Sequence, residues 1–119
     1  MYIEKHTVTA ITATGGGATA FTPPLVGRVL GIKYLKHATV PYASTADFTI
    51  TSEDTGQAIL SKSNVNADLI AYPTNKATTA TGAASTLTEQ PVPLANERVK
   101  IVVAEGGNTK TGTFTVIVG

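Results

Sequence analysis

The sequence predicts an all-β fold, an antiparallel β-sandwich or barrel formed as one domain by residues 1–119. Apolar residues recur at every second position in several short segments, whereas no segment longer than two turns shows the helical i, i+3, i+4, i+7 spacing. Threonine accounts for 21 of the 119 residues, and this β-branched residue suits the exposed side of a strand. Turn residues separate the alternating segments, which is typical of a sandwich or barrel.

The first 45 residues predict an arm followed by a central strand. Residues 1–24 alternate only loosely, are interrupted by the glycine triplet 15–17 and end at Pro23 and Pro24, so we expect an extended N-terminal arm. The triplet itself is expected to be a flexible connector. Residues 28–37 form the densest apolar stretch and place apolar side chains on both faces, which predicts a central strand covered on both sides.

The middle of the chain predicts a hairpin and a long loop. Residues 47–51 alternate with Phe48 and Ile50 facing inward, and the turn residues 52–56 lead to a returning strand at 57–60. Residues 76–88 are rich in threonine and alanine and contain little that could be buried, so we expect an exposed loop there.

The C-terminal segments 98–104 and 113–118 are predicted to form a β-hairpin that closes the fold. Both segments alternate strictly, and the glycines of the connection supply the positive-φ positions that hairpin loops need. The predicted inward residues are Val99, Ile101, Val103, Phe114, Val116 and Val118.

The composition excludes several classes of site. The chain has no cysteine, which excludes disulfides, thiolate metal ligands and a thiol nucleophile. A net charge of +1 and an isoelectric point near 8.0 give no strong field toward nucleic acid or an anionic membrane, and no apolar run approaches the roughly 18 residues of a membrane helix. We therefore expect a soluble protein with no nucleic-acid or membrane partner.

One triplet, Asp54-Thr55-Gly56, matches an enzyme motif. Retropepsin-like aspartic proteases carry this triplet, are all-β and place two such aspartates side by side in a dimer. Here Ser52 and Glu53 precede the triplet, and the neighbouring Glu53 would add negative charge to the pair. The simpler interpretation is a turn between two strands, and the sequence favours it.

The remaining candidate groups do not form a recognisable site. His6 and His37 lack a second ligand at metal-binding spacing and are predicted to be an exposed strand residue and the cap of the central strand. The basic residues of 28–37 alternate between faces, and four acidic residues match no calcium-loop spacing. No catalytic, cofactor-binding or metal-binding residue is predicted, and no cofactor or enzymatic activity is expected. The acidic residues are Asp47, Glu53, Asp54 and Asp68.

From Ala46 to its end the sequence resembles small structural proteins encoded among the head genes of tailed bacteriophages. The matching segments are Asp47-Phe-Thr-Ile-Thr, Thr55-Gly-Gln-Ala-Ile-Leu, Ser63-Asn-Val-Asn-Ala with the following Tyr72-Pro73, and Ala95-Asn-Glu-Arg-Val-Lys-Ile-Val-Val-Ala-Glu-Gly-Gly-Asn-Thr-Lys-Thr-Gly-Thr-Phe.

This resemblance implies a phage capsid decoration or cement protein. Such proteins are small, β-rich and often trimeric, so a homotrimer is expected. They are in the host cytoplasm before assembly, and in the virion they clamp the major capsid protein on the outside of the shell. The arm at 1–24 and the loop at 76–88 would then make the capsid contacts. A tail, head-fibre or adhesin module of the virion is an alternative. A carbohydrate-binding module is disfavoured because the chain has no tryptophan for sugar stacking.

Overall fold

The structure, a computed structural model, describes residues 3–78 and 80–119, without the side chains of residues 85–88. All regular structure in these ranges is β-strand, which confirms the all-β prediction. The strands are β1 (Glu4–Ile11), β2 (Ala18–Phe21), β3 (Leu25–Lys36), β4 (Asp47–Ser52), β5 (Ala58–Lys62), β6 (Leu69–Ala71), β7 (Thr74–Thr78), β8 (Ala84–Glu97), β9 (Val99–Ala104) and β10 (Thr111–Val118).

The strands form two antiparallel sheets. The large sheet has the order β1-β10-β3-β8-β7, with β6 pairing with β3 beyond the end of β8. The small sheet has the order β2-β9-β4-β5. Alternate residues of β10 and β9 are fully buried, and the two inward faces share one apolar core. This arrangement is sandwich-like, as the sequence pattern predicts.

Four aromatic rings form the centre of that core. Phe48 of the small sheet meets Tyr34 and Phe114 of the large sheet edge-on, at centroid distances of 4.7 and 5.0 Å. Tyr42 stacks on Tyr34 and donates its hydroxyl proton to the carbonyl oxygen of Ala10 at 2.6 Å. The rings therefore join the two sheets, and the buried hydroxyl of Tyr42 is hydrogen-bonded.

The hairpin predicted at 47–60 is confirmed, whereas the C-terminal hairpin is not formed. β4 pairs with β5 through Phe48↔Lys62 and the following residues. In contrast, β9 pairs with β2 and β4 in the small sheet, while β10 pairs with β1 and β3 in the large sheet. The connection after Ala104 crosses between the sheets, with positive φ at Glu105, Gly107 and Thr109. The predicted inward faces of β9 and β10 therefore face each other across the core from opposite sheets, instead of lying side by side in one sheet.

The N-terminal segment is built into both sheets and does not extend as an arm. β1 pairs along its whole length with β10, and β2 pairs with β9. The glycine triplet between them is an ordered turn: Gly16 N–H donates to Ala13, and Gly16 O accepts from Gly106 N–H at 2.8 Å. The connector expected there is therefore fixed against the loop between β9 and β10.

The range 76–88, expected to be a loop, contains the ends of two paired strands. β7 pairs with β8 through Lys76↔Glu89 and Thr78↔Ala84. Thr79 and the side chains of residues 85–88 lie outside the described part of the chain. The other side chains from residue 80 to residue 84 are exposed, as the composition predicts.

Candidate interaction surface

The outer face of the large sheet is the surface that the sequence did not predict to be open. β3 was expected to be covered on both sides. Val29, Ile32 and Tyr34 are buried on its inner side, but Lys33 and Leu35 are exposed on its outer side. No strand or loop covers this side within the described part of the chain, because the small sheet packs only on the inner face.

Strand register fixes which residues are neighbours on this outer face. Leu35 of β3 lies opposite Thr113 of β10, and Lys33 lies opposite Thr115 on one side and Ile70 of β6 on the other. Thr115 in turn lies opposite Thr7 of β1, and the two hydroxyls are 3.3 Å apart. The face is therefore a row of threonines on β1 and β10 beside a more apolar region on β3 and β6.

Gly31 lies buried beneath this apolar region. A Cβ atom at this position would lie 3.4 Å from Cδ1 of Ile117 and 3.8 Å from Cδ1 of Tyr72. The two side chains therefore flank the glycine from both sides, and Ile70 and Leu35 continue the apolar surface along β6 and β3. We call these four residues the outer strip: Leu35, Ile70, Tyr72 and Ile117.

Three of the four residues of the outer strip are well exposed, and Ile117 is half-buried. Tyr72 is 71% exposed, Ile70 54% and Leu35 48%. Single exposed apolar residues are normal on protein surfaces, whereas several neighbouring ones indicate a binding site. The register places these residues together, so they form a patch.

The charge near the outer strip is positive. Lys33 lies within the strip, between Thr115 and Ile70, and Lys5 projects from β1 on the same face. Neither lysine forms an ion pair in the part of the chain that the structure describes. The nearest acidic residue on this side, Asp68, accepts a hydrogen bond from the backbone N–H of Lys36 at 2.8 Å.

A groove of about 200 Å³ lies beside β6 at the end of the outer strip. It is lined by Lys33, Tyr34, Asp68, Leu69 and Ile70. Burial raises the pKa of the Tyr34 phenol, and the nearby Asp68 carboxylate raises it further, so this hydroxyl stays neutral near pH 7. The groove offers an apolar floor with one cation and one anion at its rim.

Asp54-Thr55-Gly56 forms a turn, as the simpler interpretation predicted. The three residues are exposed and connect β4 to β5. The turn is held by Glu97, whose carboxylate accepts hydrogen bonds from the N–H groups of Asp54 and Thr55 and from the Thr55 hydroxyl, at 3.1–3.2 Å. Burial opposes the charge on Glu97, but these bonds together with one from Ala95 N–H lower its pKa.

The two histidines lie apart in the large sheet, since His6 is level with Ile32 of β3 and His37 follows the end of that strand. His6 is half-buried on β1, with its Nε2 atom 3.0 Å from the Glu4 carboxylate. His37 follows β3, and its Nδ1 atom accepts the N–H groups of Thr39 and Val40, both at 3.1 Å, so it caps that strand as predicted.

The acidic residues weighed as a cation site are not brought together. Glu53 pairs with Arg98, at 2.8 and 2.6 Å, and Asp47 accepts the N–H group of Asn64 at 3.0 Å. Among the described residues, no three histidine or carboxylate side chains are close enough to hold a metal ion. Nor does this part of the chain contain a helix long and apolar enough to span a membrane.

Little in the sequence indicates the outer strip. Ile70 and Tyr72 lie in the least regular part of the chain, and β6 has only three residues. The available signal was Leu35, an apolar residue on the side of β3 opposite to Tyr34 and Ile32. Glu97 was also missed, because a carboxylate between asparagine and arginine in the sequence is expected at the surface.

Comparison with known proteins gives no family for this chain. No family model matches, and no curated protein matches. A solved structure titled "Crystal Structure of FLHE" is similar with 11% sequence identity and a TM-score of 0.46, over 98% of this chain and 96% of that one.

The comparisons contradict the expected capsid decoration role. The similar structure is titled FLHE and not as a capsid protein, and no family model or curated protein supports a place in the virion. The expected capsid decoration role is therefore corrected.

Proposed function

We propose that this protein is a non-catalytic binding module that uses the outer strip to bind an acidic, partly apolar segment of another protein. The observation that carries the proposal is the exposed patch around Gly31, where Tyr72 and Ile117 flank the glycine. Exposed apolar patches on soluble domains are typical of protein–protein contacts. A tyrosine at such a patch supplies a large contact area and a hydroxyl at its rim.

The charge on the face supports an acidic partner. Lys5 and Lys33 lack a carboxylate partner in the described part of the chain, so an incoming carboxylate would provide one. Two copies of this chain docked face to face would instead bring like charges together, which costs free energy. The groove beside β6 is a place for an apolar side chain of the partner.

The absence of a recognisable reaction centre in the described residues fits a binding role. Asp54 lies in an exposed turn, the two histidines are far apart in the sheet, and the carboxylates of Asp47, Glu53 and Asp68 already have partners. Binding needs only complementary surface, which the outer strip supplies.

A random-peptide display library screened against the whole protein tests the proposal. We expect the selected peptides to combine Asp or Glu with an aromatic or aliphatic residue and to bind less tightly as salt is raised. The double variant Ile70→Ser, Tyr72→Ser should bind the peptides at least about tenfold more weakly, because hot-spot truncations cost more than 1 kcal/mol each.

The matched control is Val102→Ser on the outer face of the small sheet, which should leave peptide affinity unchanged. Selection of peptides without acidic residues, or equal binding to the double variant and the unmodified protein, would overturn the proposal. Circular dichroism of each variant confirms that the fold is retained.

A further inference from the structure

The open edge of β1 is a second surface, distinct from the outer strip. β1 is the first strand of the large sheet, and among the residues that the structure describes it pairs only with β10. It runs for eight residues in unbroken register with β10, from Glu4↔Val118 to Ile11↔Thr111. A strand edge of this kind presents unpaired N–H and C=O groups to any incoming strand.

The other edge strands in the described part of the chain are shorter or irregular. β2 has four residues and is followed closely by Pro23 and Pro24. β5 and β7 each have five residues, and each has a register shift against its partner. Short strands, prolines, bulges and charged side chains are the usual means of protecting an edge; β1 lacks the first three, and Lys5 is the charged residue on its outer face.

The hydrogen-bond pattern identifies which residues of β1 face the open side. Thr12 N–H donates to the carbonyl oxygen of Lys110 at 2.9 Å, just beyond the paired residues Ile11 and Thr111. Because hydrogen-bonded pairs alternate along an antiparallel ladder, the even-numbered residues of β1 bond to β10. The N–H and C=O groups of Lys5, Thr7, Thr9 and Ile11 therefore point away from the sheet.

We infer that the β1 edge pairs with the β1 edge of a second copy of this chain, antiparallel and with the twofold axis at Thr7. This register opposes Thr7 to Thr7, Lys5 to Thr9 and Ile3 to Ile11 of the other copy. Directly opposed residues share a face, so all of these side chains stay on the outer face. The two large sheets become one continuous sheet.

The side chains fit this register. Ile3 and Ile11 are 58% and 60% exposed in the single chain, and the register brings them together at both ends of the paired strands. Each Lys5 lies beside a threonine, so no like charges are opposed. The two outer strips then lie on the same side of one sheet, although the pairing itself uses none of their side chains.

A single cysteine tests the register directly, because the chain has no cysteine of its own. In Thr7→Cys the two cysteines, one from each copy, would be directly opposed residues whose backbones hydrogen-bond to each other. Their Cα atoms would be about 5.5 Å apart, which is within disulfide range. We expect this variant to form a disulfide-linked dimer on mild oxidation. Thr9→Cys, on the same strand, face and edge, should not, because its counterpart would lie about 13 Å along the strand.

Sedimentation equilibrium of the whole protein measures the assembly itself, and Thr7→Pro tests its mode. Thr7 N–H faces the open side, so proline removes it without breaking the ladder to β10. Losing this donor from each copy should raise the dimer dissociation constant about 5- to 150-fold. The control is Thr19→Pro on the open side of β2, which should leave the constant unchanged.

Charge variants at Thr9 measure the same register without proline. Thr9→Lys would face Lys5 of the other copy and raise the dissociation constant about 2- to 30-fold, whereas Thr9→Glu would lower it. A monomer or a trimer at all concentrations, dimerisation that survives Thr7→Pro, or equal cross-linking at positions 7 and 9 would overturn the inference. None of these results bears on peptide binding by the outer strip.

Discussion

The outer faces of the two sheets differ in whether their exposed apolar side chains and charges have partners among the described residues. On the small sheet, Phe21 is covered by Arg98, whose guanidinium carbon lies 4.0 Å from the ring centroid. Arg98 also contacts both carboxylate oxygens of Glu53. The aromatic ring, the cation and the anion of this face therefore satisfy one another.

On the large sheet, the corresponding groups have no such partners. Tyr72 and Ile70 are exposed, and Lys33 beside them forms no ion pair among the described residues. The kinds of residues on a face therefore say little about binding, since both faces contain apolar and cationic residues. What differs is whether the fold supplies the complementary group or leaves it to a partner.

Two glycines on opposite sides of the large sheet give the largest expected effect. Gly112 faces inward, and a Cβ atom there would lie 2.8 Å from Cε1 of Tyr34 and closer still to Tyr42. We expect Gly112→Ala to lower the free energy of unfolding by about 3 kcal/mol, because the aromatic cluster cannot move aside without losing its packing. Urea denaturation measures the change.

Gly31→Ala is the matched control on the outer face. The added methyl group would meet only ordinary contacts at 3.4 Å or more, so we expect stability to change by less than about 0.5 kcal/mol. A loss at Gly31 as large as that at Gly112 would show that the outer face is packed as tightly as the inner one, and the contrast between the two sides would fail.

Removing the buried carboxylate of Glu97 gives the next effect. Glu97 stands at the end of β8 in the large sheet and holds the β4–β5 turn of the small sheet. Glu97→Ala would leave the N–H groups of Asp54 and Thr55 without their carboxylate acceptor. We therefore expect a loss of about 2 kcal/mol in the free energy of unfolding.

The exposed Glu89→Ala is the control for this variant and should change stability by less than about 0.5 kcal/mol. Equal effects at the two positions would mean that the Glu97 carboxylate does not hold the turn. Thermal denaturation of both variants at neutral pH distinguishes the outcomes.

Acid should weaken the protein through the same carboxylate. The pKa of Glu97 in the folded protein lies below its ordinary value of 4.5. The stabilisation is therefore fully present above pH 4.5 and is lost as the pH falls through the lower, folded-state pKa. We expect the midpoint of urea unfolding to fall over this range in the unmodified protein and to fall less in Glu97→Gln. Parallel pH profiles for the two proteins would contradict this expectation.

The sequence predicted the inward-facing residues better than the pairing of the strands. Val99, Ile101 and Val103 face Phe114, Val116 and Val118 as expected, but from opposite sheets. Alternation with period two reports which side of a strand is buried, and it is the same for a hairpin and for two strands that cross between sheets. The glycine-rich connection permits both, so local pattern could not decide between them.

The exposed outer strip was not predicted from the sequence, for a related reason. β3 carries Leu35 on the side opposite its buried residues Ile32 and Tyr34, and a sequence with apolar residues on both faces predicts a strand covered on both sides. That second cover is absent within the described residues, which is why the outer strip is exposed. Long-range pairing places Ile70 and Tyr72 beside β3, and nothing in their own short segment indicates it.

The smallest expected effect on stability is at the outer strip itself. Ile70 is more than half exposed, so Ile70→Ser removes little buried surface, and we expect the free energy of unfolding to change by less than about 0.5 kcal/mol. Ile32, which pairs with the neighbouring Ala71, is fully enclosed, and Ile32→Val should lower stability by about 0.5–1.5 kcal/mol. Both values come from urea denaturation under the same conditions. A large loss for Ile70→Ser would place this side chain in the core, whereas a small one leaves its apolar surface free for a partner.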